Sequence, residues 1–251
     1  MNILITNDDG WGAKGLSTLI QTMRLLGNVT VVAPDGPRSG QSNAISVLKP
    51  LRLNKISQEP GLTVYTTNGT PTDCIKLGIH ELFPDSQPDL VVSGINHGDN
   101  GMVNVIYSGT MGAVFEGCER GIPSIGFSLC DHNLDADFSF FQPHILRLTK
   151  AILALPKREF MCWNINCPVG PVKGARITRH CHGYWDKEYK KYTDPTGGTF
   201  YMLTGNFVNT EPEATDTDQY ANAHGYISVT PTTIDMTDFT WKGSTNTGLE
   251  Y

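Results

Sequence analysis

Apolar residues open the chain as a short block. Ile3, Leu4 and Ile5 lie between Asn2 and Thr6, and Asn7-Asp8-Asp9-Gly10 follows at once, which predicts a buried strand releasing into a turn. Leu16, Leu19, Ile20, Met23 and Leu26 then recur at helical spacing, and Gly27 can end that helix. A second apolar run over 29–33 stops at Pro34. This β-α-β order predicts a parallel strand pair with a right-handed crossover, the opening of a doubly wound sheet.

Over 37–66 the pattern loosens into a Gly, Ser and Asn loop and two short alternating segments, around Leu51-Arg52-Leu53 and over 62–65. Together these predict a small hairpin excursion. Thr70, Pro71 and Asp73 have the chemistry of a capped helix start, with the helix running to about Phe83. Buried strands over 88–94 and 123–128 flank a helix over 111–119, so the β/α alternation continues to about residue 130. Ile145, Leu148, Ile152 and Leu155 keep helical spacing within 138–155, where Pro143 either begins or kinks the helix. Strand-like runs return over 161–166, 175–178, 199–203 and 226–229. The stretch 183–224, dense in Tyr, Asp, Thr and Gly, is too long for an ordinary loop and predicts a hairpin arm or an oligomerisation element. The expected class is α/β: a Rossmann-like, doubly wound, mostly parallel sheet with a C-terminal β-rich extension or hairpin arm. Residues 1–182 form the expected core, 183–224 the arm, and 225–251 a strand and tail returning to the core.

Charge narrows the partners. Twenty-five acidic residues against nineteen basic ones, a formal charge of −6, argue against capture of a nucleic-acid polymer or an anionic membrane and leave a small phosphorylated substrate open. No segment approaches the ~20 apolar residues that span a bilayer. The N-terminus lacks the basic region and apolar run of a signal peptide, so the expectation is a cytoplasmic protein. Six cysteines without a C-x-x-C spacing predict reduced, mostly buried thiols rather than a zinc site. His180-Cys181-His182 clusters three donors, but without further ligands it reads as a strand with alternating faces.

In a parallel sheet the residues that follow the strands gather on one edge, where open α/β sheets bind ligands. Asp8 and Asp9 follow the first strand, Ser39 with Gly40, Ser42 and Asn43 the second, and Asn96 the strand ending at Gly94. Two carboxylates about 4 Å apart repel by roughly 4 kcal/mol at an effective dielectric near 20, so the adjacent pair calls for a cation or a shared proton. Oxygen-only donors suit a hard divalent ion such as Mg²⁺ or Mn²⁺. Further on, Tyr107-Ser108-Gly109-Thr110-Met111-Gly112-Ala113 leads into a helix. Its first amides can hold a phosphate with no basic side chain and no P-loop lysine. Taken singly, each of these Ser, Thr and Asn residues is equally a turn or helix cap.

Together the segments resemble the SurE (survival protein E) family of metal-dependent nucleotidases. The matching stretches are I-L-I-T-N-D-D-G at 3–10, V-V-A-P with R-S-G-Q-S at 31–42, N-G-T-P-T-D-C at 68–74, P-D-L-V-V-S-G-I-N-H-G-D-N at 88–100, Y-S-G-T-M-G-A at 107–113 and G-Y-I-S-V-T-P at 225–231. They cover nearly the whole length in family order. The resemblance implies one divalent metal ion on Asp8, Asp9, Ser39 and Asn96, a phosphate loop at Ser108, Gly109 and Thr110, and further polar substrate contacts from Asn43 and Asn100. It also implies hydrolysis of nucleoside 5'- and 3'-monophosphates, with short polyphosphate for some members, and a homo-oligomer, dimer or tetramer.

In the mechanism these residues offer, Asp8 and Asp9 are catalytic. A carboxylate oxygen of the pair, most naturally of Asp9, takes the proton of an attacking water. Attack by Asp8 as a nucleophile stays open. A side chain at Gly109 is expected to block the phosphate and spare the metal. The chain departs from the family pattern at Asp216, where Gly usually precedes the Thr217-Asp218 pair, and at Pro143. Two rivals fit less well. A haloacid-dehalogenase phosphatase needs Asp-x-Asp and a downstream Lys, and a receiver-like signalling domain needs an Asp where this chain has Asn96.

Overall fold

The computed structural model describes residues 1–133, 135–156 and 161–238. Strand β1 (Asn2–Thr6) leads through α1 (Lys14–Met23) to β2 (Asn28–Pro34), then β3 (Leu53–Glu59), β4 (Leu62–Thr67), α2 (Pro71–Leu82) and β5 (Leu90–His97). A 3₁₀ turn at Met102–Ile106 precedes α3 (Gly109–Glu119), β6 (Ser124–Leu129), α4 (Gln142–Leu153) and β7 (Met161–Cys167). The remainder is β8 (Gly174–Ile177), β9 (Gly183–Asp186), β10 (Tyr189–Thr193), β11 (Thr199–Leu203), β12 (Asn206–Asn209), α5 (Asp218–Ala223) and β13 (Tyr226–Thr233). Beyond Asp238, the expected C-terminal tail lies outside the described residues.

Nine strands form one sheet in the order β3-β4-β2-β1-β5-β6-β7-β13-β8. The run from β4 through β7 is parallel throughout. Only β3 and the β7–β13 pairing are antiparallel, so the expected mostly parallel α/β class is what the chain adopts. Side-chain alternation builds its two layers. Ile3 and Ile5 of β1 share a core with Leu16 and Leu19 of α1 and Ile145 of α4, while Leu4 between them packs with Ile75 of α2 and Ala113 of α3.

Two local expectations change. Helix α1 ends at Met23, before Leu26, because the chain tightens there: Leu25 N–H donates to Thr22 O and Leu26 N–H to Met23 O, the shorter bonds that satisfy a helix end. The β3–β4 hairpin is the edge of the main sheet rather than an excursion from it, since β4 pairs with β2 over six residues and Leu62 and Val64 pack on the core. The other local signals behave as chemistry dictates. Thr70 and Asp73 close a reciprocal capping box, at 3.0 and 2.9 Å, and Pro143 stands in the first turn of α4.

Within 183–224, β9 pairs with β12 and β10 with β11, giving a two-tier hairpin over 183–209. The rest returns to the core, where Asp218 and Ala221 of α5 are fully buried. Asp216, the departure from the family pattern, accepts from Arg179 Nε at 2.9 Å, beside the two-pronged Arg179–Glu211 pair at 2.6 and 2.9 Å. From β1 the chain winds outward to β2 and β4, then recrosses to β5 on the other side of β1. The sheet therefore reverses direction between β1 and β5, and the crevice at their carboxyl ends is the expected ligand position.

Candidate active site

Asp8 is held on three sides. Its carbonyl accepts from the Arg38 amide at 2.6 Å, which ties the loop after β2 to the end of β1. Its Oδ1 accepts from Thr110 Oγ1 at 2.8 Å. Its other oxygen faces Gly109, where a Cβ would sit 3.1 Å from Oδ2, 3.0 Å from Asp8 Cβ and 3.3 Å from Arg38 O. A Cβ there would be tighter than an ordinary contact, so Asp8 or the loop after β2 would have to give by a few tenths of an ångström. Asp9, half-buried, accepts from the His97 amide at 3.3 Å, which brings the end of β5 to the pair. Next to it Asn96 is buried and donates Nδ2 to Gly98 O at 2.8 Å, so its Oδ1 is the side-chain atom left for a cation.

The structure thus brings Asp8, Asp9, Asn96, Gly109 and Thr110 to one crevice. Ser39 is exposed and joins them through its neighbour Arg38. Ser108 caps α3, its Oγ accepting from Met111 N–H at 3.0 Å. The Ser108 and Thr110 hydroxyls and the Met111 amide are therefore already engaged within the protein. Asn43 is exposed and sits against α3: its Oδ1 would be 2.9 Å, and the Ser42 carbonyl 2.2 Å, from a Cβ on Gly112. Asn100 is buried, two residues before the 3₁₀ turn.

Burial lifts Asp8 from its ordinary 3.8 to about 6, and the charge of Asp9 adds to the rise while the Thr110 hydroxyl opposes it. Burial also raises Asp9, against the His97 amide and ring. Among the described residues no group of three His, Cys, Asp or Glu side chains is placed to hold a metal, and His180 Nδ1 lies 2.8 Å from Asp218 Oδ2. A cation in the crevice would rest instead on two carboxylates completed by hydroxyl and amide oxygens, a hard-ion donor set. All six cysteines are free, and burial holds the Cys74, Cys130 and Cys167 thiols up, the last at about 12.

A family model described as "Survival protein SurE" matches residues 3–187. The chain belongs to the SurE family. It is 51% identical over 238 residues to "5'-nucleotidase SurE" of Phocaeicola vulgatus, covering 94% of this chain and 92% of that one. Identity to the protein of the same description from Bacteroides fragilis is 48%, over 94% and 93% of the two chains. The crystal structure of the SurE protein from Aquifex aeolicus superposes with a TM-score of 0.83 at 33% identity, covering 96% of each chain.

Sequence reasoning missed residues that support the candidate site of this SurE-family chain. Ser128, Asn164, Asn166 and Asp218 are all fully buried and hold the segment after β5. Met102 N–H donates to Asp218 Oδ2 at 2.7 Å, and Trp185 of the arm donates Nε1 to Asn104 Oδ1 at 2.9 Å. One signal existed: Asn164 and Asn166 alternate in an otherwise apolar strand and so share one face.

Proposed function

We propose that the chain is a metal-dependent phosphatase of nucleoside monophosphates, a 5'-nucleotidase of the SurE type. The observation that carries this is the contact of Asp8 with Gly109: a buried carboxylate and the amino end of a helix meet at the reversal point of the sheet. One divalent ion, Mg²⁺ or Mn²⁺, would be held by Asp8 Oδ2, Asp9, Ser39 and Asn96 Oδ1. When bound, it supplies neutralising charge for the phosphoryl oxygens and acidity for the attacking water. Gly109 and the positive end of α3 orient the phosphate, with Asn43 and Asn100 as further polar contacts. Asp9 takes the proton from water, because it carries a single long backbone bond while Asp8 is engaged by Thr110.

The nucleoside lies along a cavity of about 550 Å³ that starts at Ser42 and Asn43 and has Ile45, Ile106 and Phe115 in its wall, a size and polarity ordinary for such ligands. Both 5'- and 3'-monophosphates are substrates, with short polyphosphate a further one. Two carboxylates side by side, and Asn96 where a receiver domain needs Asp, favour this reading over the rival classes.

The enzyme is proposed to be a homo-oligomer, dimer or tetramer, because the hairpin exposes Tyr184, Tyr189, Tyr201, Met202 and Leu203. Light scattering giving a monomer at micromolar concentration would refute that. A cytoplasmic setting is supported by the six free thiols, and no described helix is long and apolar enough to cross a membrane. The deciding experiment is phosphate release from nucleoside monophosphates with Mn²⁺ and after chelation. Asp9→Asn should abolish turnover; release at the unmodified rate in excess Mn²⁺ would reject the site.

A further inference from the structure

Asn100 is gripped at three points. Its amide donates to Asn166 Oδ1 at 2.8 Å, its carbonyl accepts from Asn164 Nδ2 at 2.8 Å, and its side-chain Nδ2 lies 2.9 Å from Ser128 Oγ. Asn166 Nδ2 in turn donates to Asn164 Oδ1 at 3.0 Å, and Asn222 Nδ2 to the Asn166 carbonyl at 2.8 Å. Asn100 is 6% exposed and Ser128, Asn164 and Asn166 are 0% exposed. These groups sit in register with the site: Asn96 of β5 stands opposite Ser128 of β6, which stands opposite Asn166 of β7. A polar row therefore runs sideways from Asn96 across two strands that contribute no ligand of their own.

A buried polar network is stable in a core only when its members are satisfied, and three bonds of this one converge on a single loop residue. Fixing both backbone polar atoms and the side chain of Asn100 removes the ordering cost that a loop contact would otherwise meet on binding. Asn100 Nδ2 donates one of its two hydrogens to Ser128 Oγ, which leaves the other N–H of the NH₂ group as the donor that Asn100 can offer an anion.

We infer that Ser128, Asn164 and Asn166 are positioning residues for substrate, acting through Asn100 on the phosphate. This rests on the reading of Asn100 as a substrate contact given above. The test is a double-mutant cycle on the full-length, Mn²⁺-loaded enzyme. Ser128→Ala and Asn166→Ala should each raise KM for AMP and Ki for inorganic phosphate by the same factor, about three- to tenfold, the worth of one hydrogen bond. The kcat and the Mn²⁺ concentration for half-activation should stay within twofold. In an Asn100→Ala background neither change should add anything.

Equal effects with and without Asn100, or a lowered Tm with KM unchanged, would overturn the inference as a matter of fold stability alone. Should Asn166→Ala fail to fold, Ser128→Ala decides by the same criteria. If the unmodified chain hydrolyses AMP and Asn100→Ala leaves KM where it was, the inference falls while the nucleotidase reading stands. No phosphate release by the unmodified chain would remove that reading, and the inference with it.

Discussion

Asp8 makes the metal-free protein less stable than the fold alone would allow, and the size of the effect follows from its surroundings. Its carboxyl is buried beside Asp9 and titrates near 6, against 3.8 in an unfolded chain. Below pH 3.8 the group is neutral in both states and has no effect. Between 3.8 and 6 the unfolded chain has released a proton that the folded one still holds, so folding loses stability as pH rises. The loss is complete above pH 6. The interval at 1.36 kcal/mol per pH unit amounts to about 3 kcal/mol, a large share of the 5–15 kcal/mol typical of a domain. Asp8→Asn keeps the shape and removes the charge, so after chelation it should be more stable than the unmodified protein by up to about 3 kcal/mol at pH 8. At pH 4 the two should nearly coincide. Urea unfolding of both proteins in EDTA at the two pH values measures this directly. Equal differences at pH 4 and pH 8, or an unmodified protein that gains stability across this interval relative to the variant, would refute the argument. Mn²⁺ should reverse the order, stabilising the unmodified protein and leaving Asp8→Asn unmoved.

Other perturbations separate the parts of the site. Asn96→Ala deletes a neutral ligand, so the Mn²⁺ needed for half-activation should rise while excess Mn²⁺ restores most turnover; a defect that metal does not relieve assigns Asn96 elsewhere. Gly109→Ala places a Cβ about 3 Å from Asp8, overpacking that costs roughly 1–3 kcal/mol, and calorimetry should show weaker Mn²⁺ binding together with a raised KM for phosphate esters. Ile45→Ser, on the cavity wall, should raise KM for AMP and leave that for glycerol phosphate unchanged, and a uniform change would remove the nucleoside from that cavity. Trp185→Phe, which cuts the hydrogen bond from the arm to Asn104, should raise KM about two- to threefold without altering metal affinity.

Gly109 marks where sequence reasoning stops. From the chain alone the phosphate loop and the carboxylate pair are separate motifs about a hundred residues apart, and a side chain at 109 is expected to touch only the first. Folded, α3 begins against Asp8, so the two motifs are one surface and a single Cβ disturbs both. What was legible had a local cause: apolar runs of strand length, the Thr70–Asp73 box, Pro143 opening a helix, acidic residues in the turn after β1. Each is decided by neighbours a few residues away. What stayed hidden depends on pairing between distant strands. Asn164 and Asn166 look like polar interruptions of an apolar strand until β7 comes to lie beside β6, with Ser128 in register with Asn166 and β5 one strand beyond. Asp218 looks like the acidic first turn of a short helix until Met102 is found donating to it from the 3₁₀ turn after β5. In both cases the side chain supports the loop after β5 that carries Asn100. Residues of that kind do no chemistry and carry no motif, so their positions can be read only from the packed structure.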